Sequence, residues 1–124
     1  MTPTVVDASV MAAICFGEPE AERWAERLEG RPVFAPTLLR HELVSVARKK
    51  CLTHPEQAPA IRRALARVLD GSHGIAWRDP DPLDVLLMAQ ATGLTAYDAT
   101  YLCLAGLLAG ELLTDDRELA AALT

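Results

Sequence analysis

Asp7, Glu42, Asp98 and the neighbouring pair Asp115 and Asp116 are the residues of this 124-residue chain whose type and setting can do chemistry. Asp7 directly follows Val5 and Val6 in the run TPTVVD, so a carboxylate is carried to the end of a buried strand, where an unpaired charge is costly. The nearest basic residue in sequence, Arg23, offers no evident pairing. Converging carboxylates repel one another and raise each other's pKa unless a cation offsets their charge, and hard oxygen donors select Mg2+ or Mn2+. Such an ion is commonly held by one or two carboxylates together with water and substrate phosphate. It can neutralise a phosphoryl group and activate water for in-line attack. The chemistry implied is phosphodiester hydrolysis. Other schemes lack parts: no Ser or Cys nucleophile stands with an evident His base, and HELVS lacks the second His of a HExxH zinc site. His41, His54 and His73 read as ordinary surface or core residues.

Each acid also has a plain structural reading. Thr95-x-x-Asp98 matches a capping box, Asp115 or Asp116 suits the start of a last helix, and Glu42 suits a solvated position beside Arg40 or a pair one turn away. Asp81 and Asp84 fit an N-terminal capping pattern and are read as structural.

The elements that would carry these acids follow from periodicity and punctuation. Residues 3–7 read as a first, buried strand, and EPEAERWAERLEG as a helix closed by Gly30. RPVFAP reads as a second strand stopped by Pro36, after which Thr37 opens the helix TLLRHELVSVARKK with Leu39, Leu43, Val46 and Ala47 on one face. PEQAPAIRRALARVLDG reads as a helix with Ile61, Leu65, Val68 and Leu69 inward, GIAWR as a third strand, and DPDPLDVLLMAQATG as a helix ended by Gly93. TAYDATYLCLAGLLAG, ELLT and DDRELAAAL complete the chain as helix, strand and helix. Strands alternating with helices predict a three-layer α/β/α sandwich around a mainly parallel sheet of four or five strands, because parallel strands need crossover connections. In such sheets ligands bind beyond the carboxyl ends of the strands. Asp7 and the Asp115/Asp116 pair end strands, while Glu42 and Asp98 lie near the starts of crossover helices, so all are expected at one edge.

Length predicts one domain over residues 1–124. No apolar run reaches the ~18 residues of a membrane span, and Asp7 interrupts the N-terminal region early, so a membrane or secretory role is not expected and the cytoplasm is the default. Cys15, Cys51 and Cys103 form no CxxC pair and are expected to be buried thiols. The formal charge of −5 does not favour nucleic acid in bulk. The clusters Arg48, Lys49, Lys50 and Arg62, Arg63, Arg67 could contact phosphate locally, although such clusters are commonly solvated helix faces.

Taken in order, these segments resemble a PIN-domain protein, most closely the VapC-like toxin ribonucleases of type II toxin-antitoxin pairs. VVDASV resembles the opening strand of that family, with Asp7 as the first metal-site acid and Ser9 as the polar residue two places on. In APTLLRHELVSVARK, Pro36 precedes Glu42 by six residues, as in the family's second motif. GLTAYDATYLCLA resembles the third and assigns its acid to Asp98, and LLTDDREL resembles the closing Thr-x-Asp, with Thr114 and Asp116 in the site and Asp115 between them. One departure stands three residues after Glu42, where many relatives carry Asn and this chain has Ser45. The resemblance implies a Mg2+- or Mn2+-dependent endoribonuclease acting on RNA, with Asp7, Glu42, Asp98 and Asp116 as metal ligands and catalytic acids and Ser9 and Thr114 in support. It further implies a homodimer inhibited by a cognate antitoxin whose tail presents an Arg to the acids. Two other classes compete: a catalytically silent PIN-like module that binds RNA or a partner protein, and a receiver-type signalling domain. The second fits poorly, since its acidic pair belongs near the N-terminus with a later Lys, and no Lys follows Lys50. A dehalogenase-like phosphatase would want an Asp where Ser9 stands.

Overall fold

The computed structural model describes residues 2–123. Four short parallel strands, β1 (Thr4–Val6), β2 (Val33–Ala35), β3 (Ala76–Trp77) and β4 (Glu111–Leu113), form one sheet in the order β3-β2-β1-β4. Around it lie α1 (Ala8–Cys15), α2 (Ala21–Leu28), α3 (Leu38–Thr53), α4 (Ala58–Leu69), α5 (Pro82–Thr92), α6 (Ala96–Leu107) and α7 (Arg117–Ala121), with a 3-10 turn at Pro55–Gln57. The chain steps from β1 to β2 to β3 in one direction and returns past β1 to β4. Parallel crossovers are overwhelmingly right-handed, so the return puts α5 and α6 on the opposite face from α1 to α4. The packing agrees: α1 contacts α2, α3 and α4, whereas α6 packs on α5, β1 and β4. The expected three layers are present, with four strands.

The core is continuous across the sheet, with Val5, Val6, Leu39, Leu43, Leu104, Leu112 and Leu119 almost fully buried. β1 is central and buried on both faces, which is why its three residues show no alternation. Gly110 lets β4 enter beside β1: a Cβ there would lie 2.5 Å from the Pro3 carbonyl oxygen, which accepts a hydrogen bond from the Glu111 N–H at 2.9 Å.

Three sequence expectations need correction. ASVMAAIC, to which periodicity assigns no element, is α1, and Val10, Met11, Ala12 and Ala13 are buried in succession. A helix covered on all sides shows no amphipathic stripe. Leu69, expected inward, is 38% exposed at the end of α4. The three cysteines are half-buried rather than buried, although burial still pushes the Cys15 thiol up to about 11, which keeps it protonated and unreactive. Among the described residues, no helix is long and apolar enough to cross a membrane.

Candidate active site at the carboxyl edge of the sheet

β1 and β4 are neighbours on either side of the point where the strand order turns back, and such a point opens a crevice at the carboxyl ends of the strands. Asp7 leaves β1 there and caps α1: its Oδ1 accepts from the Val10 N–H at 3.1 Å and from the Ser9 hydroxyl at 2.6 Å. The Thr114 hydroxyl, at the end of β4, donates to Asp7 Oδ2. Asp7 is only 5% exposed, so these three donors replace most of the water its carboxylate would otherwise hold. The loop after β4 is stitched to the same group. Ser9 Oγ accepts from the Asp115 N–H, and Thr114 Oγ1 from the Asp116 N–H, each at 2.9 Å. Asp116 then caps α7 by accepting from the Leu119 N–H at 3.1 Å. Ser9 and Thr114 thus position Asp7 and the loop bearing Asp116 together, and Asp115 enters that network through its backbone.

The other two acids arrive on helices. Glu42 lies in the second turn of α3, half-buried beside the inward Leu39 and Leu43. The start of α3 is held from outside: Thr37 opens the helix as expected, but its side chain makes no cap, and the Asp79 carboxylate accepts from the Thr37 N–H at 2.8 Å and its hydroxyl at 3.0 Å. Arg40, one turn on, stacks over the Trp77 ring at 4.5 Å from its centroid, which ties the same turn to β3. Asp98 lies in the first turn of α6. Only half of the expected capping box forms: the Thr95 hydroxyl accepts from the Asp98 N–H at 3.2 Å. No return bond to the Asp98 carboxylate is present among the described residues.

The charges of these acids act on one another. Burial raises the Glu42 pKa first; a hydrogen bond from Tyr101 opposes the rise, and the Asp7 and Asp98 charges add to it. Burial also raises Asp98, followed by the charges of Asp116, Asp7 and Glu118. Asp7, Glu42, Asp98 and Asp116, from four separate stretches of chain, therefore share one electrostatic neighbourhood. Among the described residues none of the four has an ion-pair partner; the five salt bridges all lie elsewhere. Two site residues escaped the sequence reading. Tyr101 donates its hydroxyl to Glu42 Oε1, and a phenol inside an otherwise aliphatic helix face was the available signal, since a buried hydroxyl needs a partner. Glu118 adds charge beside Asp98 but follows only from the placement of α7.

Such a donor set fits a hard divalent cation. It is made only of oxygen, carries excess negative charge and lacks a basic partner. Among the described residues no three His, Cys, Asp or Glu side chains form a ready-made cage, so the fit is one of donor chemistry, suited to an ion that completes its shell with water. Beside Glu42 lies an open hollow of about 460 Å³, lined by Ala8, Leu38, His41, Ser45, Val46 and Tyr97. Ser45 lines this hollow too. A larger hollow of about 640 Å³ is bounded by α2, Arg31 and Ile75 and includes none of the four acids.

Comparison with known proteins agrees with this architecture. The crystal structure of PAE2754 from Pyrobaculum aerophilum matches with a TM-score of 0.78 and 27% sequence identity, over 98% of this chain and 84% of that one. No curated protein matches the chain. A family model described as PIN domain matches residues 4–122. PIN domains are in general nucleases that typically use divalent metal ions. The match runs from the first residue of β1 to just beyond α7, leaving no strand and no acid of the edge outside it: the chain belongs to the PIN-domain family.

Proposed function

We propose that this protein is a Mg2+- or Mn2+-dependent endoribonuclease, in which Asp7, Glu42, Asp98 and Asp116 hold the ion directly or through water, and that it acts as the toxin of a toxin-antitoxin pair. The observation that carries the reading is the set of acids at one sheet edge, where burial and then the neighbouring carboxylates raise the proton affinity of Glu42 and Asp98, and where none of the four has an ion-pair partner among the described residues. When bound, the ion neutralises charge on the scissile phosphate and supplies an activated water. The protein's part is to hold the acids. Asp7 is fixed by Ser9, the Val10 N–H and Thr114, so its oxygens need not reorganise when charge changes at the site. Asp116 is fixed by its capping bond to Leu119.

RNA has open access to the edge beside Glu42, where the exposed His41, Ser45 and Tyr97 offer polar and stacking contacts. Arg48 and Lys49 are exposed and suit backbone phosphate, whereas Lys50 is engaged with Glu18 at 3.1 Å. An antitoxin Arg placed against the acids would form short, charge-assisted bonds and exclude the cation, which accounts for inhibition by charge replacement. A homodimer accompanies this reading through family resemblance.

The test is cleavage of an RNA pool by purified protein with Mg2+ or with chelator, beside Asp98→Asn. Metal-dependent cleavage lost in the variant is expected. Equal cleavage by Asp98→Asn, or none by the native protein in Mg2+ or Mn2+, contradicts the enzyme reading. Induced expression with and without the adjacent reading frame, with mapping of RNA ends, tests the toxin role: growth arrest relieved by the neighbouring frame is expected, and no arrest refutes it.

A further inference from the structure

Tyr101 is 1% exposed and sits one turn beyond Asp98 on α6. Its hydroxyl reaches to the opposite helical layer and donates to Oε1 of Glu42 on α3, 59 residues away in sequence. A buried phenol requires an acceptor, but here the acceptor is one oxygen of a half-buried acid rather than a backbone carbonyl. Helices α3 and α6 come from different crossovers and lie on different faces of the sheet. This bond therefore ties together, at the edge, the two elements that deliver Glu42 and Asp98. Since Tyr101 and Asp98 share one rigid helix, fixing Glu42 to the phenol also fixes it relative to Asp98.

We infer that Tyr101 is a positioning residue that fastens Glu42 by one carboxylate oxygen and leaves the other for a divalent cation or its water. The inference rests on the divalent-ion reading above. Groups that orient a metal ligand in this way commonly change metal affinity by about 10- to 100-fold when removed. The ring itself belongs to the core, so the informative change is Tyr101→Phe, which deletes the hydroxyl and keeps the packing.

Calorimetric titration with Mn2+ alone, without RNA, reads the effect on the native protein, Tyr101→Phe, Glu42→Ala and the double variant. Tyr101→Phe is expected to weaken Mn2+ binding about 10-fold or more and to add nothing in the Glu42→Ala background. Equal Mn2+ affinity in the native protein and Tyr101→Phe overturns the inference and leaves the metal reading standing. An unchanged loss in the Glu42→Ala background also overturns it, by showing that the hydroxyl acts through general structure. No Mn2+ binding by the native protein overturns the metal reading itself. Should Tyr101→Phe fail to fold, Tyr97→Phe leaves Tyr101 as the sole tyrosine. Its near-ultraviolet difference spectrum should then change in step with Mn2+ binding, and a spectrum indifferent to Mn2+ overturns the inference.

Discussion

Replacing Thr114 with Val removes one hydroxyl from the carboxyl edge of the sheet while keeping the shape of the side chain. That hydroxyl donates to Asp7 Oδ2 and accepts from the Asp116 N–H at 2.9 Å. Water replaces the donor poorly, because Asp7 is 5% exposed. A hydrogen bond to a charged group contributes about 1.5–3 kcal/mol. Thr114 is itself half-buried, so the lower end applies, and the variant should lose about 1.5 kcal/mol. For a domain of this size ~1 kcal/mol corresponds to about 4 °C, which gives a fall in Tm of about 6 °C. The assay is thermal melting followed by circular dichroism at neutral pH without divalent ions, for the native protein, Thr114→Val, Asp7→Asn and the double variant. In Asp7→Asn the acceptor is a neutral amide, for which the same bond contributes about 1 kcal/mol less. Thr114→Val should therefore cost measurably less in that background. A cost that is identical in both backgrounds, or a change below about 1 °C in the native background, would refute the view that Thr114 steadies a buried charge.

Further outcomes follow from the same packing and charges. Glu42 and Asp98 hold a proton more tightly in the folded chain than unfolded, so their contribution to stability is full below the ordinary carboxylate range and lost as pH rises through the raised values. Without divalent ions, Tm should rise as pH is lowered from 7 toward the ordinary carboxylate range, Mg2+ at pH 7 should recover part of that gain, and the pH effect should shrink in Glu42→Gln/Asp98→Asn; an unaltered profile in the double variant contradicts the assignment. Asp98→Asn alone should raise the Tm of the metal-free protein at pH 7 while abolishing cleavage, and a lower Tm would show that the acid is structural. Gly110→Ala should cost about 2 kcal/mol through overpacking against Pro3, read as a lower urea midpoint at unchanged slope; a midpoint equal to that of the native protein would show that β1 and β4 can shift apart freely.

The layered fold was legible because most helices present one face to the core and each strand is a short, largely apolar run with Pro, Gly or Asp close to its ends. The helix α1 was not, since Val10 through Ala13 are all buried and leave no periodic signal. Its available mark was Asp7, a capping residue placed directly after a strand. Leu69 was misplaced because helical spacing continues to the last turn of α4, whereas the core ends at Val68. At the site, sequence spacing brought the four acids to one edge. It could not distinguish capping from chemistry, and the structure makes the two compatible: Asp7 and Asp116 cap helices with one oxygen each, while Asp98 receives no bond from the Thr95 backbone. The bond from Tyr101 to Glu42 joins residues on different layers and needed the fold to be seen.

The most direct measurement is an anomalous difference map from crystals of the protein grown with Mn2+. The account predicts a peak at the carboxyl edge of the sheet, bordered by Asp7, Glu42, Asp98 and Asp116 and weakened in Asp98→Asn. Full-strength Mn2+ elsewhere on the molecule, or an edge where Asp7 and Asp98 are each neutralised by basic side chains with no peak between them, would contradict it.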